Sequence, residues 1–381
     1  MSVRRLIVEV DVEGLNVAEF CRQHGVSRWF FYDLRRRYLI EGDTVLDPGS
    51  RAPRTVANRT PGWVEDLIID ERKRLEGNGL DAGAATIAFH LKARLGAETP
   101  SEATVWRVLS RRGFITPDPS KAPKHSYRSF EAERANERWQ IDDTPWQLAD
   151  GTGVKIINLV DDCTRVLTSS RAAVTCDTES AFEAFCEGAS RWGWPARFLS
   201  DNAGEFRNGL ADAVRALGVE SGHSRPYHPQ TCGKVERFHQ TLKKWLSVQP
   251  APGSLRELQV LLDQFATIYN HHRPHRSLKR RIPAEVFATT PKAGPTDRAL
   301  DTPTHIHRVK VNNGTLSAGQ RYTISVGAAH TGNTATVIIT GLNCHVFING
   351  QLIRKLTLDP SRKLQPIYPQ RGHPKIQDDQ L

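Results

Sequence analysis

The sequence predicts a multidomain α+β protein in which helical units come first, a mixed α/β core follows and a small β barrel comes last. Three observations predict this order. Apolar residues recur at helical spacing in the first third, strand-like and helical runs alternate through the middle, and short β-branched runs separated by Gly and Asn fill the last part. A chain of 381 residues has room for about two to four domains. The expected domains are residues 1–42, 62–115, 136–290 and 305–360.

Residues 1–42 are predicted to contain two short helices around a tight turn. Asn16 can cap the first helix, Gly25 makes the turn and Ser27 can cap the second helix. Apolar residues from Phe30 to Tyr38 would face inward. The second helix would then display Arg28, Tyr32, Arg35 and Arg36. This is the layout of a helix-turn-helix, whose second helix enters the DNA major groove, although an ordinary helical hairpin with a solvated arginine face has the same pattern.

Residues 62–115 are predicted to form a second helical unit. Its first helix carries apolar residues from Trp63 to Leu75, its second includes residues 85–91, and Ser101 can cap its third, in which Val105, Val108 and Leu109 would be buried. The third helix would expose Arg107, Arg111 and Arg112 near its end. These side chains suit a second DNA-binding helix-turn-helix, and the alternative is a purely structural helical domain.

Residues 305–360 change in character to short β-branched runs between Gly and Asn turns, which is typical of a small all-β barrel. Asn349-Gly350 is a tight hairpin signal within it. In the middle of the chain, strand-like runs at 154–160, 165–174 and 196–200 are interleaved with helical runs at 180–192 and 208–217. This alternation predicts an α/β layer fold.

Three acidic residues in the central segment are hard to explain by folding alone. Asp142 lies at the edge of an apolar run, Asp201 ends the strand-like run 196–200, and Glu236 comes three residues after Gly233, in the first turn of a predicted helix. Glu236 is expected on a different face of that helix from its apolar residues, which are Val235, Phe238, Leu242, Trp245 and Leu246. Two strand-end carboxylates and one helix-borne carboxylate suit a hard divalent cation such as Mg²⁺.

Neighbouring acidic residues leave alternatives open. Asp143 competes with Asp142, because successive residues on a strand face opposite sides of the sheet. Asp161 and Asp162 could supply a further ligand, but they precede Thr164 and its neighbours at a strand end, where a turn-forming pair is the favoured interpretation.

Each of the three acids lies in an extended motif. Residues 139–144 read Trp-Gln-Ile-Asp-Asp-Thr, residues 199–206 read Leu-Ser-Asp-Asn-Ala-Gly-Glu-Phe, and residues 227–239 read Tyr-His-Pro-Gln-Thr-Cys-Gly-Lys-Val-Glu-Arg-Phe-His. Together these motifs resemble the DDE integrase core that retroviral integrases share with many bacterial insertion-sequence transposases. The last two acids are 35 positions apart, close to the spacing of that family. The resemblance covers roughly residues 136–290, including Tyr269-Asn270 and Arg273-Pro274-His275.

The resemblance implies a ribonuclease-H-like fold for the core, with Asp142, Asp201 and Glu236 as catalytic residues. These three would hold two Mg²⁺ or Mn²⁺ ions, and Asp142 would bridge them because it matches the first acid of the family motif. The implied reaction is attack of water at the element end, followed by attack of the exposed 3′-hydroxyl on target DNA. The implied partners are double-stranded DNA, both element ends and target, and further copies of the chain as a homo-oligomer on DNA.

Basic residues near the third acid are predicted to contact DNA phosphates. His228 lies on the loop before the catalytic helix, where a structural histidine is the alternative. The basic residues of the helix are Lys234, Arg237, Lys243 and Lys244, whose alternative is a solvated helix face. A dense basic cluster follows, with Arg273 and Arg276 as the expected DNA contacts.

Charge and composition agree with a polyanionic partner. The chain has a formal net charge of +10, yet residues 136–250 hold 13 basic and 15 acidic residues, so the excess lies mostly in residues 251–381. A merely soluble basic protein would fit the total but not this distribution. No apolar run reaches the roughly 18 residues that cross a membrane. The six cysteines show no zinc-ligand or disulfide spacing, so reduced thiols and a cytoplasmic, nucleoid-associated location are expected.

The expected function is therefore that of a DNA transposase or integrase. One alternative is a catalytically inactive, transposase-derived regulator that binds specific DNA, but the three intact acids argue against it. A second alternative is a simple metal-dependent nuclease of the same fold, but the two upstream helical units favour recognition of element ends. No motif in the chain specifies a helper ATPase.

Overall fold

A computed structural model describes residues 2–48, 59–116, 131–200, 209–223, 229–300 and 302–367. The chain divides into two compact units, Met1–Pro61 and Gly62–Leu381. The second predicted helical unit therefore belongs to the same compact unit as the central core. Across the residues that the structure describes, no helix combines the length and apolarity that crossing a bilayer requires.

The smaller unit packs three helices around one apolar core. They are α1 (Val3–Glu9), α2 (Val17–Gln23) and α3 (Arg28–Glu41). The side chains of Asn16 and Ser27 cap α2 and α3 as predicted. Phe31 and Leu34 are fully buried, whereas Tyr38 is only half-buried because its hydroxyl donates to a carboxylate just beyond the helix.

The second helical unit contains α4 (Gly62–Gly77), α5 (Ala84–Leu95) and α6 (Glu102–Arg111). Ser101 caps α6, and Val105, Val108 and Leu109 are buried, as the helical spacing predicts. Trp63, one of the apolar residues that mark this helix in the sequence, is 54% exposed, whereas the next residue, Val64, is buried.

A five-stranded mixed sheet forms the centre of the larger unit. Its strands are β1 (Arg138–Gln147), β2 (Gly153–Asp161), β3 (Leu167–Ala173), β4 (Arg197–Ser200) and β5 (Glu220–His223). The order across the sheet is β3-β2-β1-β4-β5. Strands β1, β2 and β3 form an antiparallel meander, and β4 and β5 run parallel to β1 on its other side. The long strand β1 is therefore central and has neighbours on both edges.

Helices cover both faces of this sheet. They are α7 (Thr178–Trp192), α8 (Gly209–Ala216), α9 (Pro229–Leu246) and α10 (Leu255–His271), followed by α11 (Pro283–Thr289). On one face, Trp139 of β1 is fully buried with Phe182 and Phe185 of α7. On the other face, α9 and α10 bury Phe238 and Phe265 against β2 and β3. Two separate apolar layers thus fix the position of β1 between α7 and α9.

The apolar face predicted for α9 is confirmed, and the predicted start of the helix is wrong. The five apolar residues named above, from Val235 to Leu246, are all at most 4% exposed. The helix begins at Pro229 rather than near Gly233, and the first helical position tolerates proline because its missing N–H has no partner there. Glu236 consequently lies in the third turn of α9 and not in the first.

A C-terminal β domain follows, with β6 (Thr304–Lys310), β7 (Thr315–Ala318), β8 (Tyr322–Ser325), β9 (Thr334–Thr340), β10 (Asn343–Ile348), β11 (Gln351–Thr357) and β12 (Leu364–Gln365). The strands lie in two sheets, ordered β11-β10-β9-β6 and β12-β8-β7. The predicted hairpin at Asn349-Gly350 connects β10 and β11, and both residues have positive φ angles of 51° and 74°. The all-β character is therefore observed, while closure into a barrel stays a prediction.

The β domain shares a hydrophobic core with the central sheet domain. Ile338 of β9 and Phe347 of β10 are fully buried in the cluster that contains Trp139. The Phe347 ring lies 4.6 Å, centroid to centroid, from the ring of Phe182 on α7. The two layers therefore fold against each other and are not separated by a water-filled interface.

The second helical unit also packs directly on α9. The backbone at Gly79 has a φ of +68° and lies so close to α9 that an added Cβ would be 2.9 Å from the Cα of Trp245. The ammonium group of Lys244 donates to the carbonyl of Leu80 at 2.9 Å. Only glycine combines this φ with this close approach, so the loop between α4 and α5 is built to touch the helix that bears Glu236.

Stability is expected to fall in mild acid because of His345 on β10. Neither imidazole nitrogen has a hydrogen-bond partner among the described residues, and burial lowers the pKa of His345 from 6.5 to about 4. The unfolded chain therefore binds a proton near pH 6.5 that the folded chain binds only near pH 4, which favours unfolding as the pH falls. Between pH 8 and pH 5 this residue should cost about 2 kcal/mol of unfolding free energy.

Urea unfolding at pH 8 and pH 5 measures this cost in the wild type and in a His345→Gln variant. The variant should lose about 2 kcal/mol less than the wild type over this interval, while His305→Gln, at an exposed position of β6, should behave like the wild type. An equal loss in His345→Gln and wild type would contradict the assignment to His345.

Candidate active site

Asp142 lies in β1, opposite Asn158 of β2, and faces helix α9. Its carboxylate Oδ2 atom is 3.7 Å from the Nδ1 atom of His239 on α9. Asp143, the next residue, instead binds the ammonium group of Lys155 at 2.6 Å. Of the two neighbouring acids, the structure therefore pairs Asp143 with a lysine of the adjacent strand and brings Asp142 to the helix that carries the third predicted acid.

Glu236 lies on α9 three residues before His239, and its side chain is exposed. Residues three apart on a helix are neighbours, with about 5–6 Å between their Cβ atoms. Because His239 touches Asp142, the exposed carboxylate of Glu236 lies one helical turn from the contact between β1 and α9. The structure thus brings the first and third predicted acids to the same edge of the core.

The second predicted acid, Asp201, and the loop residue His228 lie outside the described residues. Strand β4 ends at Ser200, the residue before Asp201, and β4 lies parallel to β1 with Leu199 opposite Gln140. Within the described ranges, no three His, Cys, Asp or Glu side chains converge as a group that could hold a metal ion.

His239 is a residue of this site that the sequence reasoning missed. It is 9% exposed, and its Nε2 atom is buried with no hydrogen-bond partner among the described residues. Burial lowers the pKa of His239 to about 4, so the ring is neutral at pH 7 and its 3.7 Å approach to Asp142 is not an ion pair. The spacing of three residues from Glu236 on an amphipathic helix was the available signal, since it places both side chains on one side of α9.

Asp161 confirms the turn-forming interpretation at the end of β2. Its carboxylate accepts hydrogen bonds from the Thr164 N–H and hydroxyl, both at 2.7 Å, and from the Asn136 N–H at 2.8 Å. Burial raises the pKa of Asp161, and these three donors oppose that shift. Asp161 therefore stabilises the turn after β2 and faces away from the candidate site.

Asp162 has a wider set of contacts than a turn requires. Its side chain is fully buried and binds the ammonium group of Lys234 on α9 at 2.5 Å and the guanidinium of Arg138 on β1 at 2.6 Å. Burial alone would raise the pKa of Asp162, but these two cations hold the pKa below its usual value. Asp162 is therefore an ionised, buried carboxylate beneath the start of α9.

Three basic residues of the core that were predicted to bind DNA have other partners. Lys234 binds the buried Asp162, and Lys244 binds the Leu80 carbonyl. Arg273 donates two hydrogen bonds to Asp81, at 2.6 and 2.9 Å, and its guanidinium lies over the ring of a buried tyrosine. Each of these side chains thus reaches an acceptor that is distant in the sequence, and its role as a DNA contact stays a prediction.

Three arginines of the helical units are likewise engaged within the protein. Arg35 donates to the carbonyls of Ile7 and Val10, which satisfies the end of α1. Arg111 and Arg112 both bind Glu65, a buried carboxylate of α4 whose lowered pKa reflects these two guanidinium groups acting against burial. The two arginines therefore hold α6 on α4, and their role as DNA contacts stays a prediction.

The remaining predicted contacts stay on the protein surface. They are Arg28, Tyr32, Arg36, Arg107, Arg237 and Arg276, which are exposed. Lys243 is half-buried one turn beyond His239 and, together with Lys155 and Trp146, lines an open groove of about 810 Å³ along the β1–β2 hairpin. Two lysine side chains therefore line this groove, whose other lining residues are mostly apolar.

Comparison with protein families places the central segment. Residues 132–229 and residues 217–283 match two family models that are both described as integrase core domains. The first range includes Asp142 and Asp201, and the second includes Glu236. The chain is also 29% identical over 182 residues to the uncharacterized protein K02A2.6 of Caenorhabditis elegans, a match that covers 43% of this chain and 14% of that protein.

Among solved structures, the chain is similar to the intasome of simian T-cell lymphotropic virus in complex with the PP2A regulatory subunit B56 gamma. The TM-score is 0.38 and the identity 17%, with 72% of this chain and 95% of that chain covered. It is also similar to the HTLV-2 integrase catalytic core in complex with magnesium, in its trimeric form. There the TM-score is 0.34 and the identity 16%, over 42% of this chain and 99% of that chain.

A third similar structure is the catalytic core of BIV integrase, with a TM-score of 0.31, 20% identity, and 40% and 94% coverage of the two chains. The five-stranded mixed sheet with helices on both faces fits a ribonuclease-H-like core. The central segment of the chain is accordingly an integrase core domain of the integrase and transposase superfamily.

Proposed function

We propose that the integrase core domain of this chain is the catalytic domain of a DNA transposase that cleaves element ends and joins their 3′-hydroxyl groups to target DNA. One observation carries the proposal. Asp142 on the central strand touches α9 at His239, one turn from the exposed Glu236, at the edge where the motifs of the integrase core predict the active site. Both carboxylates thus lie near the contact between β1 and α9, and Lys243 of α9 lines the groove along the β1–β2 hairpin.

The donor set fits a divalent metal site. Asp142 and Glu236 offer carboxylate oxygens, the preferred ligands of Mg²⁺ and Mn²⁺, and the proposed third ligand, Asp201, directly follows the last residue of β4 beside β1. When bound, two such ions would acidify an attacking hydroxyl and neutralise the leaving oxygen of a phosphodiester. Asp142, Asp201 and Glu236 would together hold these ions.

The other residues of the site would position DNA. Lys243 faces the groove along the β1–β2 hairpin, and Arg237 is exposed on α9 one residue after Glu236. Both can bind phosphate oxygens without reading sequence, which suits a backbone running across the carboxylates. Trp146, Lys155 and Lys243 line the groove that would receive the continuing strand.

Recognition of element ends would fall to the two helical units. Arg28, Tyr32 and Arg36 form an exposed side of α3, and Arg107 is exposed on α6. A helix with such a side can enter the major groove. Arg35, Arg111 and Arg112 also form contacts within the protein. Joining two element ends to one target would require at least two copies of the chain on DNA.

Incubation of the purified protein with labelled DNA tests the proposal. The DNA carries the inverted repeats that flank the coding sequence, together with an unlabelled target plasmid, in Mg²⁺ or Mn²⁺. Labelled ends joined to the plasmid are expected, and EDTA should abolish joining because the carboxylates alone cannot stabilise the charge of the phosphodiester transition state.

The other outcomes separate the two alternative functions. Metal-dependent cleavage without joining would replace the transposase by a nuclease of the same fold. Specific, tight binding of the repeats without cleavage in either metal would replace it by a DNA-binding regulator. Unchanged joining in EDTA would contradict the proposed metal site.

A further inference from the structure

We propose that Asp162 is a positioning residue of the active site, because its buried carboxylate holds helix α9 through Lys234 and so sets where Glu236 stands relative to Asp142. This inference deepens the proposed function and rests on it for the role of Glu236. Asp162 itself is fully buried and does not reach the reacting atoms.

The contacts of Asp162 connect separate segments of the core. Its Oδ2 atom accepts from the N–H of Ala132 at 3.0 Å and from Arg138 at 2.6 Å. Its Oδ1 atom accepts from the side chain of Gln140 at 3.0 Å and from Lys234 at 2.5 Å. One carboxylate at the end of β2 therefore binds the residues that lead into the core, two residues of β1, and the catalytic helix.

These contacts bear on the site through the geometry of α9. Lys234 precedes Glu236 by two positions, a rotation of about 200° around a helix, so the two side chains leave α9 on opposite sides. When Lys234 is held inward by Asp162, Glu236 is held outward. A rotation or shift of α9 along its axis would break the 2.5 Å contact before it moved Glu236 far.

The strand that bears Asp142 is held by the same carboxylate. Arg138 and Gln140 precede Asp142 on β1 by four and two residues, and both bind Asp162. The apolar face of α9 alone would allow small shifts of the helix, whereas the short, charged hydrogen bond from Lys234 to Asp162 restricts them. Asp162 thus holds the strand of Asp142 and the helix of Glu236 in a fixed position relative to each other.

The test variant is Lys234→Met, which removes the ammonium group and keeps the length of the side chain. We expect kcat for strand transfer to fall about 10- to 100-fold, as for other residues that orient metal ligands, while KM for end DNA changes less than about twofold. The apparent Kd for Mn²⁺, measured by electron paramagnetic resonance of the free ion, should rise about tenfold. Lys234→Arg, which keeps a cation, should restore most of both values.

Lys244→Met is the matched control, because Lys244 lies on the same helix and binds the Leu80 carbonyl rather than Asp162. It should leave the Mn²⁺ affinity unchanged. If Lys234→Met does not fold, Lys234→Gln, which keeps an N–H donor, replaces it with the same measurements. Failure of both to fold would overturn the proposal, because the pair would then support the whole core rather than place one helix.

The results also separate this inference from the proposed function. Wild-type Mn²⁺ affinity in Lys234→Met, or a rise in KM with kcat unchanged, would overturn the positioning role even in an active transposase. Conversely, a protein that joins no DNA but loses Mn²⁺ affinity in Lys234→Met would refute the transposase and retain the role of Asp162.

Discussion

Replacement of Glu236 by Gln is expected to reduce strand transfer by a factor on the order of 10³ or more. A metal ligand that stabilises transition-state charge contributes several kcal/mol, and each 1.36 kcal/mol corresponds to a factor of ten in rate. The amide has nearly the shape of the carboxylate, and Glu236 is exposed on α9, so the fold should be unaffected. The measurement is the rate of labelled-end joining, with thermal unfolding as the check on folding.

Gln240→Ala provides the matched control, because Gln240 is exposed one turn further along the same helix. This variant should keep the wild-type joining rate and the wild-type affinity for end DNA. If Glu236→Gln joined ends at a rate within a few-fold of wild type, Glu236 would have no place in the metal site, and the core would need another third ligand.

The largest effect on stability is expected for Phe347→Ala. Phe347 belongs to the β domain but is fully buried in the cluster around Trp139, in contact with Phe182. Removing a buried phenyl ring leaves a cavity and costs about 3–5 kcal/mol of unfolding free energy. Urea unfolding followed by tryptophan fluorescence measures the loss, and a single transition should shift to lower urea concentration.

Leu342→Ala is the comparison variant, since Leu342 is 47% exposed in the turn between β9 and β10. Its midpoint should differ little from that of the wild type. A free energy of unfolding of the larger unit that is the same in Phe347→Ala and in wild type would show that the shared core contributes little.

Local features of the chain were predictable because they depend on residues close together in sequence. The caps at Asn16, Ser27 and Ser101 and the buried face of α9 follow from short-range patterns, and the structure confirms them. The length of β1 was harder to predict, because its two adjacent acids and Pro145 interrupt the alternation of apolar and polar residues that marks a strand. Helix α10 also escaped prediction, although it buries one side against β3.

The partners of the basic residues could not be predicted from the sequence. Net charge and helical spacing predict which face of a helix carries an arginine or lysine. They do not show which acceptor its side chain reaches in the folded protein. Arg273 binds Asp81, which is 192 positions away, and Lys234 binds Asp162, which is 72 positions away. Such pairs depend on the tertiary fold, so the internal partners of six predicted DNA contacts were not evident from the sequence.

The candidate site was predictable only in part, because local motifs identify the acids but not their contacts in the folded protein. Asp142 and Glu236 were identified from motifs that surround each acid, and the structure brings their two elements into contact. His239 was missed because its spacing of three residues from Glu236 places both side chains on one side of α9 but does not show what the histidine contacts. Its position against Asp142 becomes visible only when α9 is packed on β1.

The contact of Gly79 with α9 has a consequence for the DNA itself. Because the second helical unit rests on the helix that carries Glu236, a duplex bound by α6, as proposed above, would lie at a fixed distance from the carboxylates. Each base pair advances the duplex by about 3.4 Å and turns it by roughly a tenth of a revolution. The fold of the protein would therefore set the number of base pairs between its recognition sequence and the cleavage site.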